Sequence, residues 1–318
     1  MITFLGDVAI LNRNVFSEYT PRTPYIFNLE YVVSNGTEKP ALNKINICSD
    51  FKDFERLFKS NPQAVNIANN HTLDYGIQGF ETTLQAMQQK NIATIGGDSV
   101  YWLNPKTCIL SYTMFNGKTD DISLVDFESE KAKNQIAEAR NRGADCVIVL
   151  MHWGIENYEN SVKSQREIGH MLIDNGADFI VGCHSHCIQP IEMYNEKYIC
   201  YGLGNCFFNN FNLDSHYNSE GKAAERYRLR WGKWNRKSLA VTFDETVKRV
   251  KSVDLLYQKK NTLTLKKANY DVKKLREKNK FLAKIRFFFR KYWLFFKSNS
   301  FVDGKIFDFN ALGRELRK

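Results

Sequence analysis

The sequence predicts an α/β protein whose functional residues collect at the ends of its strands. Five short apolar runs each end on a carboxylate, an amide or an imidazole. Two polar, helix-length segments, 131–142 and 165–175, each close on a glycine and lead through Ala-Asp into one of those runs, which is the αβ unit seen twice. The third observation is a change of character near residue 260. It separates a body, 1–260, from a basic, aromatic-rich helical tail, 261–318.

The runs come in order. Ile2-Thr3-Phe4-Leu5 ends in Gly6-Asp7, and Tyr25-Ile26-Phe27-Asn28-Leu29 ends in Glu30. Ala64-Val65-Asn66-Ile67-Ala68 feeds Asn69-Asn70-His71, with Asp74 close behind. Cys146-Val147-Ile148-Val149-Leu150 ends in Met151-His152-Trp153-Gly154, and Phe179-Ile180-Val181-Gly182 in Cys183-His184-Ser185-His186. Such runs read as short buried strands. In open α/β sheets the C-terminal strand edge is where ligands bind. Four of the six histidines sit at these exits, so one site built from many strand ends is expected.

Between the runs, residues 50–58 have helical spacing behind a Ser49-Asp50 N-cap, and 79–90 carry Phe80, Leu84 and Met87 on one helical face. Residues 92–95 read as a short strand. Residues 192–200 read as a hairpin about Asn195-Glu196, and 239–243 with 250–257 as a closing pair of strands. The stretch 214–237 is charged and aromatic without a clear period, which predicts a long loop or an insertion.

Composition narrows the class. A chain of 318 residues buries one large core or two modest ones. Its 43% hydrophobic content and mean hydropathy of −0.44 are those of a water-soluble globular protein. No apolar stretch reaches the roughly 18 residues of a membrane-spanning helix, and the first run starts too early to leave room for a signal peptide. Seven scattered cysteines, several in apolar runs, point to a reducing compartment. The expected location is therefore cytoplasmic, free or peripheral on the inner face of a membrane. The net charge of +10 belongs to the tail: 16 of the 45 basic and 5 of the 35 acidic residues lie after residue 260, leaving 29 and 30 in the body.

Asp, Glu, Asn and His together form an oxygen and nitrogen donor set. It suits one or two divalent transition-metal ions (Mn, Fe or Zn) better than a cysteine-based structural zinc. His184 and His186 can serve one centre or two adjacent ones, and a carboxylate such as Glu30 can bridge two. Two metals about 3.5–4 Å apart activate a water and clamp a phosphoryl oxygen. His71 is the candidate general acid, with Asp74 to orient and charge it. His170 and His216 are expected to be non-ligands, and Cys183 and Cys187 to be packing. Trp153 and Tyr158 fit a substrate cleft or the core equally, and Glu156 leans towards support of the ligands.

In order along the chain, Gly6-Asp7, Asn28-Leu29-Glu30, Ala68-Asn69-Asn70-His71 with Asp74-Tyr75-Gly76, His152-Trp153-Gly154 with Glu156, His184-Ser185-His186 with Gln189-Pro190, and Tyr201-Gly202-Leu203-Gly204-Asn205 resemble the CapA-type capsule and poly-γ-glutamate synthesis family. That family is a branch of the calcineurin-like metallophosphoesterases, and the resemblance covers roughly residues 1–260. It implies a four-layer α-β-β-α sandwich with a dinuclear metal site between the sheet ends. By position it implies Asp7, Glu30, Asn70, His152, His184 and His186 as ligands, Glu30 bridging, and His71 as acid towards a metal-bound hydroxide nucleophile. Asn69, Trp153, Glu156 and Asn205 would be supporting or substrate-facing residues. The implied role is a metal-dependent, phosphoesterase-like hydrolase in capsule or other extracellular polymer biosynthesis, acting on a phosphoester or anionic polymer. The chain departs from the superfamily's Asp-x-His opening at Ala9, which leaves one metal a ligand short, and Cys206 stands where the branch has Phe.

Two other readings stand beside it. One is a non-catalytic metal- or polyanion-binding accessory subunit of a membrane polymer synthase; the other is a metal-dependent amide hydrolase on polyglutamate. In the tail, residues 280–297 read as a helix with Phe281, Ile285, Phe288, Phe289, Tyr292 and Phe296 on one face. Arg286, Arg290 and Lys297 lie on one flank, Lys284 and Lys291 on the other. Such a helix packs on the body, or lies on an anionic membrane surface or a synthase complex. Its Phe-rich character disfavours nucleic acid.

Overall fold

The computed structural model describes residues 1–97, 100–115 and 127–298, with the side chains of 224–226 and 294–298 left aside. The alternation in the runs becomes two sheets, each buried on both faces. In the strand Cys146–His152, Cys146, Ile148 and Leu150 face one core, while Val147, Val149 and Met151 face another. The first sheet runs in the order Phe16–Ser17, Thr262–Lys267, Arg249–Lys259, Lys237–Asp244, Ile2–Ala9, Tyr25–Leu29, Ala64–Asn66, Ala93–Ile95, and Asn205–Phe208 also pairs with Ile2–Ala9. The second runs Ile191–Tyr194, Lys197–Cys200, Phe179–Cys183, Cys146–His152, Thr107–Thr113, Tyr101–Asn104. The result is a mixed α/β fold.

Three apolar clusters place the layers. Ile2, Phe4 and Ile26 of the first sheet meet Ile148, Phe179 and Val181 of the second. Phe54, Leu57, Phe58, Ala86 and Met87, from the helices Phe54–Phe58 and Gly76–Gln89, cover the other face of the first sheet. Ala132, Ile136, Ala139, Leu172 and Ile173, from Ser129–Asn141 and Lys163–Asp174, cover the outer face of the second.

Several expectations need correction. The helix expected over 50–58 forms only at Phe54–Phe58, because Ser49 is drawn into a short strand, Cys48–Ser49, paired with Val32–Val33. The loop expected over 214–237 is largely a hairpin, Phe211–Tyr217 with Ala223–Leu229. Its inward positions Phe211 and Leu229 join the first cluster, and its remaining residues are polar enough to hide the alternation. The sheet also continues past residue 260. Thr262–Lys267 pairs with Arg249–Lys259, so the boundary at 260 falls inside a hairpin. Among the described residues no helix is long and apolar enough to cross a membrane.

The first strand divides its partners. Ile2 to Leu5 pair antiparallel with Lys237–Asp244, whereas Asp7 to Ala9 pair parallel with Asn205–Phe208. Gly6 is the branch point. A Cβ there would sit 1.8 Å from the Gly204 carbonyl oxygen, and the next amide, Asp7 N, donates to that oxygen at 3.0 Å. The clash would be with backbone, which cannot rotate away. We expect Gly6→Ala to destabilise the fold by about 1–3 kcal/mol or more, read as a lowered urea midpoint. An unchanged midpoint would refute this account of the branch.

Candidate metal centre

The sheet register aligns the polar residues before any side chain is considered. Asp7 lies opposite Asn28 on one side and Asn205 on the other, and Asn28 lies opposite Asn66. Four neighbouring strands thus present Asn66, Asn28, Asp7 and Asn205 in one row. Asn28 Nδ2 donates to Asp7 Oδ1 at 2.8 Å and lies 3.3 Å from His152 Nδ1. Asn66 Nδ2 and Asn69 Nδ2 both donate to Asn28 Oδ1, at 3.1 and 3.2 Å. Asn28 and Asn66 were not foreseen as orienting groups. Their signal was present, since an amide inside an apolar run needs a buried partner.

Glu30, at the exit of Tyr25–Leu29, is fully buried. Its Oε1 lies 3.8 Å from His152 Nε2 and 3.6 Å from His186 Nε2. His186 Nδ1 is 3.4 Å from Asp7 Oδ2, and His184 Nδ1 is 3.1 Å from His152 Nε2. Among the described residues two groups able to hold an ion result: Glu30, His152 and His184, and Asp7, Glu30 and His186. Glu30 belongs to both. Donors about 2.0–2.2 Å from one ion stand roughly 3–3.5 Å apart, so these separations need little contraction. Asn70 Oδ1 is 2.8 Å from His152 Nε2, at the rim of the first group. Among the described residues, neither Glu30 oxygen has a hydrogen-bond donor. A buried carboxylate without donors is strongly disfavoured unless a cation meets it, so the residues present fit divalent metal.

Burial, with the Asp7 charge next, holds the Glu30 carboxyl well above its ordinary pKa. Burial lowers His152, and it lowers His184 to about 3, so both rings are neutral and able to ligate. For His186, burial is outweighed by the hydrogen bond and charge of Asp7, and its pKa is raised; Asp7 is lowered by the same pairing. His184 and His186 both have positive φ, 93° and 52°. That conformation is uncommon for a side-chain-bearing residue, and such strain gathers at functional loops. Here it turns both imidazoles inward from one short segment.

His71 and Asp74 form a unit beside the two groups. His71 Nδ1 is 2.7 Å from Asp74 Oδ2, and that oxygen also accepts from Ile47 N at 2.6 Å. Lys44 pairs with Asp74 and donates to Asn70 O at 2.6 Å. Lys44 was not foreseen. Its loop is held by the hairpin, through His216 N to Lys44 O and Asn43 N to Tyr217 O, a long-range arrangement with no local signature. Asn69 clamps the turn, accepting from His71 N at 2.9 Å and donating to Leu29 O at 2.9 Å. Asn205 Oδ1 lies 2.9 Å from His186 Nδ1 and orients that ring.

Trp153 does not line a cleft. It is fully buried, with Nε1 donating to Tyr201 O at 2.9 Å, and belongs to the cluster outside the second sheet. Tyr158 is buried against Phe287 of the C-terminal helix. Glu156 is partly exposed; Lys291 of that helix, with His186 and His184 behind it, outweighs its burial and lowers its carboxyl to about 2. Around His186 the rings of Trp231 and Phe208 close at 5.0 and 5.4 Å, and Phe208 lies opposite Ala9 in the register. His170 is stacked on Tyr194 and 3.1 Å from Glu192, and neither it nor His216 belongs to either ion-holding group. Burial lifts the Cys183 thiol well above its ordinary value and Cys187 to about 12. Both stay protonated, as packing residues do. Phe115, near residues outside the described set, lies 3.9 Å from the His184 ring centroid.

The profile of the bacterial capsule synthesis protein family PGA_cap matches residues 13–210. The PGA biosynthesis protein CapA of Bacillus subtilis is 34% identical over 188 residues, 54% of this chain and 49% of the relative. The capsule biosynthesis protein CapA of Bacillus anthracis is 26% identical over 246 residues, 65% of this chain and 59% of the relative. A probable polyglutamine synthesis accessory protein of Mycobacterium tuberculosis is 28% identical over 170 residues, 45% of this chain and 44% of the relative. The chain thus spans about half the length of the curated relatives it matches.

Two outcomes follow from the titration of Glu30. A carboxyl whose folded pKa is raised stabilises the fold below its unfolded pKa, and that contribution is lost as pH rises through the folded value. In chelator at neutral pH, Glu30→Gln should therefore stabilise the protein by about 1–3 kcal/mol, raising Tm by a few degrees, while near pH 4 the gain disappears. A lower Tm for the variant at neutral pH would contradict the orphaned carboxylate. Because metal must displace protons from Glu30 and His186, affinity for Mn²⁺ or Zn²⁺ should weaken as pH falls, by about tenfold per unit for each proton released. Calorimetry across pH tests this, and a flat affinity would exclude these ligands.

Proposed function

The chain belongs to the bacterial capsule synthesis protein family PGA_cap, and we propose that it is a metal-dependent, phosphoesterase-like hydrolase serving the synthesis of a capsule or other extracellular polymer, poly-γ-glutamate or polysaccharide. The observation that carries this reading is the pair of ion-holding groups sharing Glu30, a buried carboxylate with no hydrogen-bond donor among the described residues. The three clusters, one between the sheets and one outside each, support reading the body as a four-layer α-β-β-α sandwich of the metallophosphoesterase kind. Its seven free cysteines support action from the cytoplasmic side.

One or two divalent ions (Mn, Fe or Zn) would supply Lewis acidity and an acidified water at this site. Asp7, Glu30, Asn70, His152, His184 and His186 would hold them. The remaining residues position and move protons. Asn28, Asn66 and Asn205 fix the ligand rings and carboxylates in the sheet row. His71 commits Nδ1 to Asp74, leaving Nε2 as the atom that gives a proton to the departing oxygen. Asp74, fixed by Lys44 and the Ile47 amide, keeps the ring oriented.

A second reading, a non-catalytic accessory subunit of a membrane synthase, is favoured by Ala9. The position across from it holds Phe208 rather than a further ligand. The name of the Mycobacterium tuberculosis relative, an accessory protein, points the same way. Amide hydrolysis on polyglutamate is the third, since the same site chemistry attacks carbonyls.

His71→Ala should keep its metal and lose about 10²–10⁴-fold in turnover of an aryl phosphodiester with Mn²⁺. The double variant His184→Ala/His186→Ala should lose both metal and turnover. Elemental mass spectrometry with a chromogenic assay reads both. Full activity in His71→Ala would remove it as acid. Undiminished metal in the double variant would remove the site. A wild type that binds metal and cleaves neither phosphodiester nor γ-glutamyl amide would leave the accessory reading.

A further inference from the structure

The C-terminal helix, Lys280–Ser298, meets the body with the face opposite to the aromatic stripe. Ala283 and Phe287 are buried against Tyr158, and Trp293 packs on Trp234 at 5.2 Å between ring centroids. Arg286 and Arg290 both pair with the buried Glu159, as does Lys278 just before the helix. The helix is thus anchored by a narrow strip. At 100° per residue, Phe281, Ile285, Phe288, Phe289 and Tyr292 fall on the far side. Phe281 is 70% exposed and Phe289 71%, with Leu282, Phe288 and Tyr292 also exposed. Phe296 and Lys297, the rest of the predicted stripe and flank, have side chains outside the described set.

Aromatic residues on the solvent side of an anchored helix need a cover, and charge selects it. The helix carries Lys280, Lys284, Arg286, Arg290, Lys291 and Lys297 and no acidic residue. Lys280, Lys284 and Lys291 line one flank of the apolar face. A second copy of this face would bring like charge against like. A surface that accepts aromatic rings into an apolar layer and surrounds them with negative groups is a bilayer containing anionic lipid. We propose that this helix is an interfacial anchor: it lays Phe281, Leu282, Phe288 and Phe289 into the headgroup boundary of an anionic membrane, flanked by its lysines. Because the same helix rests on residues 157–159, next to Glu156, docking holds the candidate metal centre close to the membrane surface. This inference is independent of whether the centre is catalytic.

The test is flotation of the full chain with vesicles of phosphatidylcholine containing 30% phosphatidylglycerol, against vesicles of phosphatidylcholine alone. Wild type should float with the anionic vesicles and much less with the neutral ones. Phe281→Glu/Phe289→Glu alters only exposed side chains, so its Tm should match wild type while partitioning falls at least tenfold. Lys280→Gln/Lys284→Gln should cost about fivefold per lysine removed, converted from roughly 1 kcal/mol each, and the difference should vanish in 1 M NaCl. Wild type that fails to float with anionic vesicles overturns the proposal, whether it then proves to be a dimer or to bind a protein instead. Equal flotation by wild type and Phe281→Glu/Phe289→Glu also overturns it, because binding would then be bulk electrostatics.

Discussion

A carboxylate placed in the protein interior, with no donor among the described residues to solvate it, is the constraint on which this architecture turns. Glu30 sits where two sheets bring their strand ends together, and each ion-holding group includes it. Everything near it is arranged for a positive charge that the chain itself does not supply. His152 and His184 are neutral through burial, and His186 spends its charge on Asp7. Cys183 and Cys187 are held as thiols, leaving oxygen and nitrogen as the donors. The orienting amides are rigid because backbone pairing fixes them: Asn66, Asn28, Asp7 and Asn205 are neighbours in register before they are neighbours by side chain.

Much of this is visible in the sequence because the chemistry is delivered by strand exits. An apolar run followed at once by Asp, Glu, Asn or His is a local pattern, and Asp7, Glu30, Asn70, His152, His184 and His186 all announce themselves that way. The two αβ units and the hairpin at Asn195 and Glu196 were equally local. What escaped depends on distance. Lys44 reaches Asp74 from a loop that a hairpin more than 160 residues later helps to pin. That hairpin was itself obscured, since it buries few positions and fills the rest with charge. Trp153 stood in a motif full of ligands, and only packing shows that its ring belongs to the core. The strand Thr262–Lys267 continues a sheet into a segment whose composition had already changed, so composition placed the boundary too early.

The C-terminal segment shows how one pattern can be correctly periodic and still point the wrong way for a core. A stripe of aromatics at helical spacing is normally the buried side of a helix. Here the strip that docks is made of Ala283 and Phe287, with Arg286 and Arg290 held by Glu159, while the aromatics face away. Charge at the edge of the docking strip is satisfied by one buried carboxylate rather than by solvent.

That carboxylate makes the body and the C-terminal segment mutually dependent. Lys278, Arg286 and Arg290 all come from beyond residue 270, whereas Glu159 belongs to the loop that follows the strand bearing His152. Remove the segment and Glu159 remains with its partners gone, in a loop whose backbone also ties Asn157 to Ser185 between the two histidines. A cut between residues 268 and 277 would sever the covalent link to all three of those cations at once, so the charge balance of this loop is set by a stretch of chain more than a hundred residues away.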